Sequence, residues 1–175
     1  MADSAEGAAL FAEHREGLTR YLARIVGHHD VARDLTQEVF LRVARADAPG
    51  VDADGTGIGR RAWVFTIARN LALNHLRDRQ RQPSTTSMID VPRNGTQELA
   101  AALQQALGTL HELDRDVFLL KESAGLSYDE IAATCDLTAD AVRNRLHRAR
   151  QQLRASLGSA IHFQLQRGIR LTHEP

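Results

Sequence analysis

Apolar positions along the chain recur at steps of three and four, the spacing of helices that bury one face. Residues 5–26 carry Leu10, Phe11, Leu18, Tyr21, Leu22 and Ile25 in this pattern. Gly27-His28-His29 ends the run, and Asp30 is placed to cap the next helix. Over 31–45 the predicted stripe is Val31, Leu35, Val39 and Val43, with Asp34, Gln37, Glu38 and Arg42 on other faces and Phe40 beside the stripe. Over 60–82 a broad apolar side contains Trp63, Val64, Ile67, Ala68, Leu71 and Leu76. From Glu98, a further helix follows with Leu99, Leu103, Leu107 and Leu110. Asp114 is placed to cap the next one, whose Val117, Phe118 and Leu120 point inward and whose C-terminal stop is Gly125.

The most regular stretch is Ser127 to Leu153. Ser127 and Glu130 form a capping box, in which the Ser hydroxyl takes the N3 amide and the Glu carboxylate takes the cap amide. Ile131, Ala132 and Cys135 give that helix an apolar face. Asp136-Leu137-Thr138 is a three-residue break, and Thr138 is a plausible N-cap for the next helix. There Ala139, Val142, Leu146, Ala149 and Leu153 form a single stripe, with Asp140, Asn144, His147, Arg148 and Gln151 roughly opposite. A helix, a tight turn and a second helix with long donors on its outer side are what a major-groove reader requires.

The segments between these patterns differ in composition. Residues 46–59 are a Gly- and Asp-rich loop, longer than most helix connections. Residues 83–97 carry two Pro, one Gly and a cluster of Ser, Thr and Asn, and read as a flexible linker and domain boundary. As a coil they span about 20 Å, and about 50 Å fully stretched, enough to hold two modules apart. The tail at 158–175 either extends the last helix, packs back or stays loose. The expected architecture is therefore all-α: a module at 1–82, a linker at 83–97, a helix-turn-helix module at 98–157 and a tail at 158–175.

Charge sharpens this picture. The 175-residue chain has a formal net charge of zero, but it is unevenly distributed. From Arg60 to Gln82 there are six Arg and one Asp, and from Asp136 to Leu157 five Arg and two Asp. One basic patch in each module suggests two separate contacts with nucleic acid. The N-terminus shows no signal peptide, no apolar run approaches a membrane span, and a single cysteine suits a reducing cytoplasm. Metal and cofactor sites are not expected. His28-His29 has no Cys or acidic ligand set near it, and Asp52-x-Asp54-Gly55 lacks the later ligands of a calcium loop. Trp63 is a core residue or, less simply, a stacking residue for an unpaired base. Cys135 falls on an apolar face, the setting of a small core thiol, so no enzyme activity is expected.

The layout resembles the extracytoplasmic-function (group 4) sigma factors of the sigma-70 family. DLTQEVFLRVAR at 34–45 resembles region 2.2, RRAWVFTIARNLALNHLRDRQR at 60–81 resembles regions 2.3 and 2.4, and 113–154 resembles region 4. The resemblance implies a factor that binds core RNA polymerase, directs it to promoter DNA and assists melting. It places Asp34, Gln37, Glu38 and Phe40 on the clamp helices of the polymerase's largest subunit, and the second module on the flap. It assigns Arg60, Arg61, Asn70, Asn74 and Arg77 to the −10 element, and Thr138, Arg143, Asn144, His147 and Arg148 to the −35 element. An anti-sigma factor is an expected partner. Asp140, ahead of Arg143, departs from the family's basic pattern. A two-module DNA-binding regulator would need the basic helices but not the 34–45 face, and an RNA-binding protein would use 60–82 without sequence choice.

Overall fold

The structure, a computed structural model, describes residues 2–45, 58–81 and 95–171, with side chains over 12–45, 59–81 and 99–158. The expectations for the loop at 46–57, the linker at 82–94, Leu10, Phe11 and the tail side chains lie outside those residues. The described elements are α1 (Ala2–Val26), α2 (His29–Arg45), α3 (Ile58–Arg81), α4 (Gly95–Gly108), α5 (Glu112–Glu122), α6 (Tyr128–Cys135) and α7 (Ala139–Leu171). All are helical, as expected. The last helix runs on through Gly158 to Leu171, so this part of the tail extends it.

The first module packs α1, α2 and α3 against one another. Leu18, Tyr21, Leu22 and Ile25 are buried as the periodicity predicts, and Gly27 ends α1 with a φ of 76° that few side chains tolerate. In α2 the stripe is rotated from its expected position. Ala32, Thr36, Val39 and Val43 are buried, while Val31 and Leu35 are only half-buried. Thr36 fits the interior because its hydroxyl donates to Ala32 O at 2.7 Å and sits 3.2 Å from the Thr19 hydroxyl of α1. Asp30 lies inside the first turn of α2 rather than capping it. In α3, Ala62, Val64, Phe65, Ala68, Leu71 and Ala72 are buried, and Trp63, Ile67 and Leu76 pack partly buried against them. Phe65 meets Tyr21 edge-on, with ring centroids 6.1 Å apart.

The second module keeps the turn chemistry of its sequence. Ser127 N donates to Glu130 Oε2 at 2.7 Å and Glu130 N to Ser127 Oγ at 3.2 Å. Asp136 takes the left-handed conformation at φ 54°, and Leu137 N closes the turn on Ala132 O at 2.9 Å. Thr138 caps α7 by accepting from Ala141 N at 3.2 Å. Val142, Leu146, Ala149 and Leu153 are all buried. One expected cap is corrected: His111, not Asp114, caps α5, its Nδ1 accepting from Leu113 N at 3.3 Å. Asp114 is instead buried in the first turn, turned toward α7. Of the α4 leucines, Leu107 is buried and Leu99 exposed.

The two modules do not stand apart. α3 packs on α6 and α1 on α5, and buried side chains of both modules form one continuous cluster. Gly17 of α1 lies against Ala124, where an added Cβ would sit 3.4 Å from Ala124 O. Polar groups cross the same joint. Arg69 Nε donates to Asp116 Oδ2 at 2.8 Å, Arg61 donates to Ala124 O at 2.9 Å, and Thr134 Oγ1 reaches Ala62 O at 3.3 Å. Within the joint Tyr21 OH, Asp116 Oδ1 and the Nε of Arg61 have no hydrogen-bond partner. Each such group costs about 1–3 kcal/mol.

Phe65→Ala is expected to destabilise the chain by about 3–5 kcal/mol, through lost burial and the cavity left under Tyr21. Urea unfolding at neutral pH measures it; a change below about 1 kcal/mol would contradict the packing described.

Candidate nucleic-acid interface

The second module's basic helix begins at its Thr138 cap and buries the stripe ending at Leu153. Its opposite side therefore exposes Arg143, Asn144, His147 and Arg148. Asp140 forms an ion pair with Arg143 one turn on. The Arg143 guanidinium also lies 5.8 Å from the centroid of the Tyr128 ring, and Lys121 Nζ lies 5.0 Å from it. Arg143 is thus held by a carboxylate and an aromatic face.

Arg148 is 58% exposed at its side chain and reaches back to Asp114 at 3.4 Å. Arg145 is more enclosed and donates to the same Asp114 oxygen at 2.7 Å. Arg150 pairs with Glu122 at 2.7 Å. The formal excess of positive charge in this stretch is therefore partly neutralised by acidic groups of α5 and by Asp140. Burial alone would raise the Asp114 carboxyl; the hydrogen bonds from Arg145 and Arg148 outweigh it and hold the group below its ordinary value. Asp116, two residues on, goes the other way. Its complete burial pushes it up, and Arg69 offsets this only in part.

On α3, Asn70, Asn74 and Arg77 are exposed along one face, with Arg81 beyond them. Arg60 is half-buried. Arg61 is carried to the other side of the helix, into the joint, where its guanidinium lies 3.4 Å from both Glu130 oxygens. Helical phase gives the reason. Nine residues at 100° each put Arg61 about 180° from Asn70. That phase is legible in the sequence. Trp63 falls within about 20° of the Asn70 direction, half-buried against the core.

On α2, Asp34 and Gln37 are exposed, and Glu38 pairs with Arg42 at 2.7 Å. Leu41, which the sequence reading passed over, stands 42% exposed on the same face. Phe40 turns toward α1 and borders a cleft of about 260 Å³ with Arg15, Thr19 and Arg33. Cys135 is half-buried in α6, and burial pushes its thiol up to about 11, so it stays protonated at neutral pH. No group of three or more His, Cys, Asp or Glu among the described residues is arranged to hold a metal ion. No described helix is long and apolar enough to cross a membrane.

Residues 10–82 match the family Sigma-70 region 2, and residues 100–153 match Sigma-70, region 4. The chain is 33% identical over 156 residues to the RNA polymerase sigma factor CarQ of Myxococcus xanthus, covering 85% of this chain and 87% of that protein. It belongs to the extracytoplasmic-function sigma factors of the sigma-70 family. The two modules are its regions 2 and 4, and the family's activity is promoter recognition in transcription initiation. The chain is also 35% identical over 156 residues to the ECF RNA polymerase sigma factor SigE of Mycolicibacterium smegmatis, covering 83% of this chain but 59% of that longer protein. Two solved structures share the fold. CnrH, in complex with the cytosolic domain of CnrY, superposes with a TM-score of 0.63 at 23% identity, over 91% of this chain and 99% of that one. The sigma factor RpoE of Bartonella quintana, in complex with the anti-sigma factor NepR, gives 0.59 at 22% identity, over 88% and 95%.

Asp114→Asn in this sigma factor is expected to lower stability at pH 7 by about 1–3 kcal/mol. The folded-state carboxyl is depressed, so its contribution is present above the ordinary carboxylate pKa of about 3.9 and is lost as pH falls through the lower folded value. Urea unfolding of wild type and variant should therefore differ at pH 7 and converge on acidification. A gap that does not change with pH would refute the ion pairing.

Proposed function

We propose that this sigma factor joins core RNA polymerase and places two helical faces on two promoter elements. Its α7 face, with Thr138, Arg143, Asn144, His147 and Arg148, addresses the −35 element. Its α3 face, with Asn70, Asn74 and Arg77, addresses the −10 element, and Arg60 supplies a phosphate contact at the start of that helix, whereas Arg61 is held in the joint against Glu130. The observation that carries the reading is that two exposed basic faces lie one on each module, and those modules match regions 2 and 4. Arg148 is oriented by Asp114, so its guanidinium meets a base edge with less freedom to lose. A long donor in that position suits the acceptor pair of guanine. Asp140 limits Arg143, and its exposed carboxylate suits a cytosine amine.

The α2 face of Asp34, Gln37 and Glu38, with Leu41 beside them and Phe40 on its flank, is the docking surface for the clamp helices of the polymerase's largest subunit. An apolar Leu ringed by acidic and amide groups fits a basic helical partner. Region 4 rests on the flap. An anti-sigma factor is the expected inhibitor, as the structural neighbour RpoE was solved in complex with the anti-sigma factor NepR. The chain acts in the cytoplasm with the polymerase and does no chemistry itself.

The test is run-off transcription with the full chain, bacterial core polymerase and a genomic promoter pool. Discrete starts that depend on the chain support the reading; active polymerase without such starts rejects it. Arg148→Ala should weaken −35-dependent binding by about 1–3 kcal/mol, and equal loss on scrambled −35 DNA would reduce Arg148 to a phosphate contact. Glu38→Arg should abolish co-purification with core polymerase while leaving the circular dichroism spectrum unchanged; normal co-purification would remove the α2 face from the docking surface.

A further inference from the structure

We propose that Tyr128 is a positioning residue for Arg143: its ring holds that guanidinium near the start of α7 and so strengthens the chain's preference at one base pair of the −35 element. This rests on the assignment of the α7 face to that element. Tyr128 opens α6 directly after the Ser127 cap, and its side chain packs half-buried against the core. The turn between α6 and α7 brings Arg143 over this ring, with Cζ 5.8 Å from the centroid. The rest of the Arg143 side chain is open, 56% exposed.

The two partners of Arg143 act differently. Asp140 lies one turn earlier on the same helix, and its exposed carboxylate accepts from Arg143 Nη1. It therefore occupies a donor that a base edge would use. Exposed ion pairs of this kind contribute little and are screened by salt. The ring attracts the whole cation through its negative face, without a lone pair that competes for the N–H fork. Arg143 can thus exchange Asp140 for a base acceptor while staying on Tyr128. A long side chain loses rotamer freedom when it binds, and holding it beforehand reduces that loss.

The ring is fixed in turn from α5. Lys121 Nζ lies 5.0 Å from the same centroid and donates to Leu126 O at 3.0 Å, across the turn between α5 and α6. Lys121, Tyr128 and Arg143 therefore link three helices of the second module through one aromatic ring. The phenolic hydroxyl takes no part in either cation contact, so Phe can stand in for Tyr at this position and an aliphatic residue cannot.

The test uses the full chain with core polymerase on a pool of promoters randomised over the −35 element, each carrying a transcribed barcode. Arg143→Ala should flatten the preference at one base pair. Tyr128→Leu should weaken the preference at that same base pair by about two- to fivefold and leave the other positions unchanged. Its salt dependence should keep the wild-type slope, because no charge is removed. Tyr128→Phe should retain the wild-type preference. Tyr128→Leu combined with Arg143→Ala should lose no more than Arg143→Ala alone, since the ring acts through the guanidinium. If Leu lowers the urea midpoint, Tyr128→Met carries the same comparison with an unbranched side chain. An aliphatic variant that keeps the preference, or that loses activity equally at all positions, overturns the proposal. So does a Phe variant as impaired as the Leu variant, which would make the hydroxyl itself a DNA contact. Failure of the promoter assignment looks different: Arg143→Ala would then leave the preference unchanged at every position.

Discussion

The guanidinium of Arg61 against the carboxylate of Glu130 is the contact on which the arrangement turns. Glu130 has two duties. It closes the capping box that starts α6, and it faces a cation from the other module. Because α6 is the first helix of the helix-turn-helix, the residue that starts this motif also ties it to α3. The tie is made beside Thr134, Ala62 and Ala124, where small side chains let the backbones come close. A Cβ added at Gly17 would already be in van der Waals contact with Ala124 across the same boundary.

Electrostatics in this chain is arranged in opposed pairs rather than as a uniform basic surface. Asp114 and Asp116 are two residues apart on α5, yet one faces α7 and is held ionised by two arginines, while the other faces α3 under complete burial. α5 thereby serves both α7 and the joint. Arg145 and Arg150 pair with acidic groups of α5, while Arg143, Asn144, His147 and Arg148 are exposed. A count of arginines overstates the positive field that reaches DNA, because a paired guanidinium contributes little at a distance.

Local chemistry read cleanly from the residues. The Ser127–Glu130 box, the Asp136 turn, the Thr138 cap and the stripe from Val142 to Leu153 depend on atoms within a few positions of one another. The order of the modules and the family resemblance depend on motifs several residues long and spaced along the chain. The carboxylate of Asp114 and the stripe of α2 depend on partners distant in sequence. Asp114 looked like a cap because Asp commonly caps, but Arg145 and Arg148 claim its carboxylate. The stripe Val31, Leu35, Val39 and Val43 predicts core at its first two positions, but α1 approaches the side of Ala32 and Thr36. Arg61 was grouped with Asn70 by charge, although helical phase separates them.

The sequence by itself determined the helices, the turn between α6 and α7, the two-module order and the family, since each rests on short-range hydrogen bonds or on periodic burial. Only the tertiary structure decided that the modules meet, that Arg61 and Arg69 find Glu130 and Asp116 there, and that Arg145 and Arg148 of α7 claim Asp114. These outcomes turn on which faces are brought together across 47 to 69 positions of chain, as in Arg69–Asp116 and Arg61–Glu130. No local propensity encodes such a pairing. It follows from the competition among long-range packings, in which burial of an apolar face carries its neighbouring charges to whatever partner the opposite face presents.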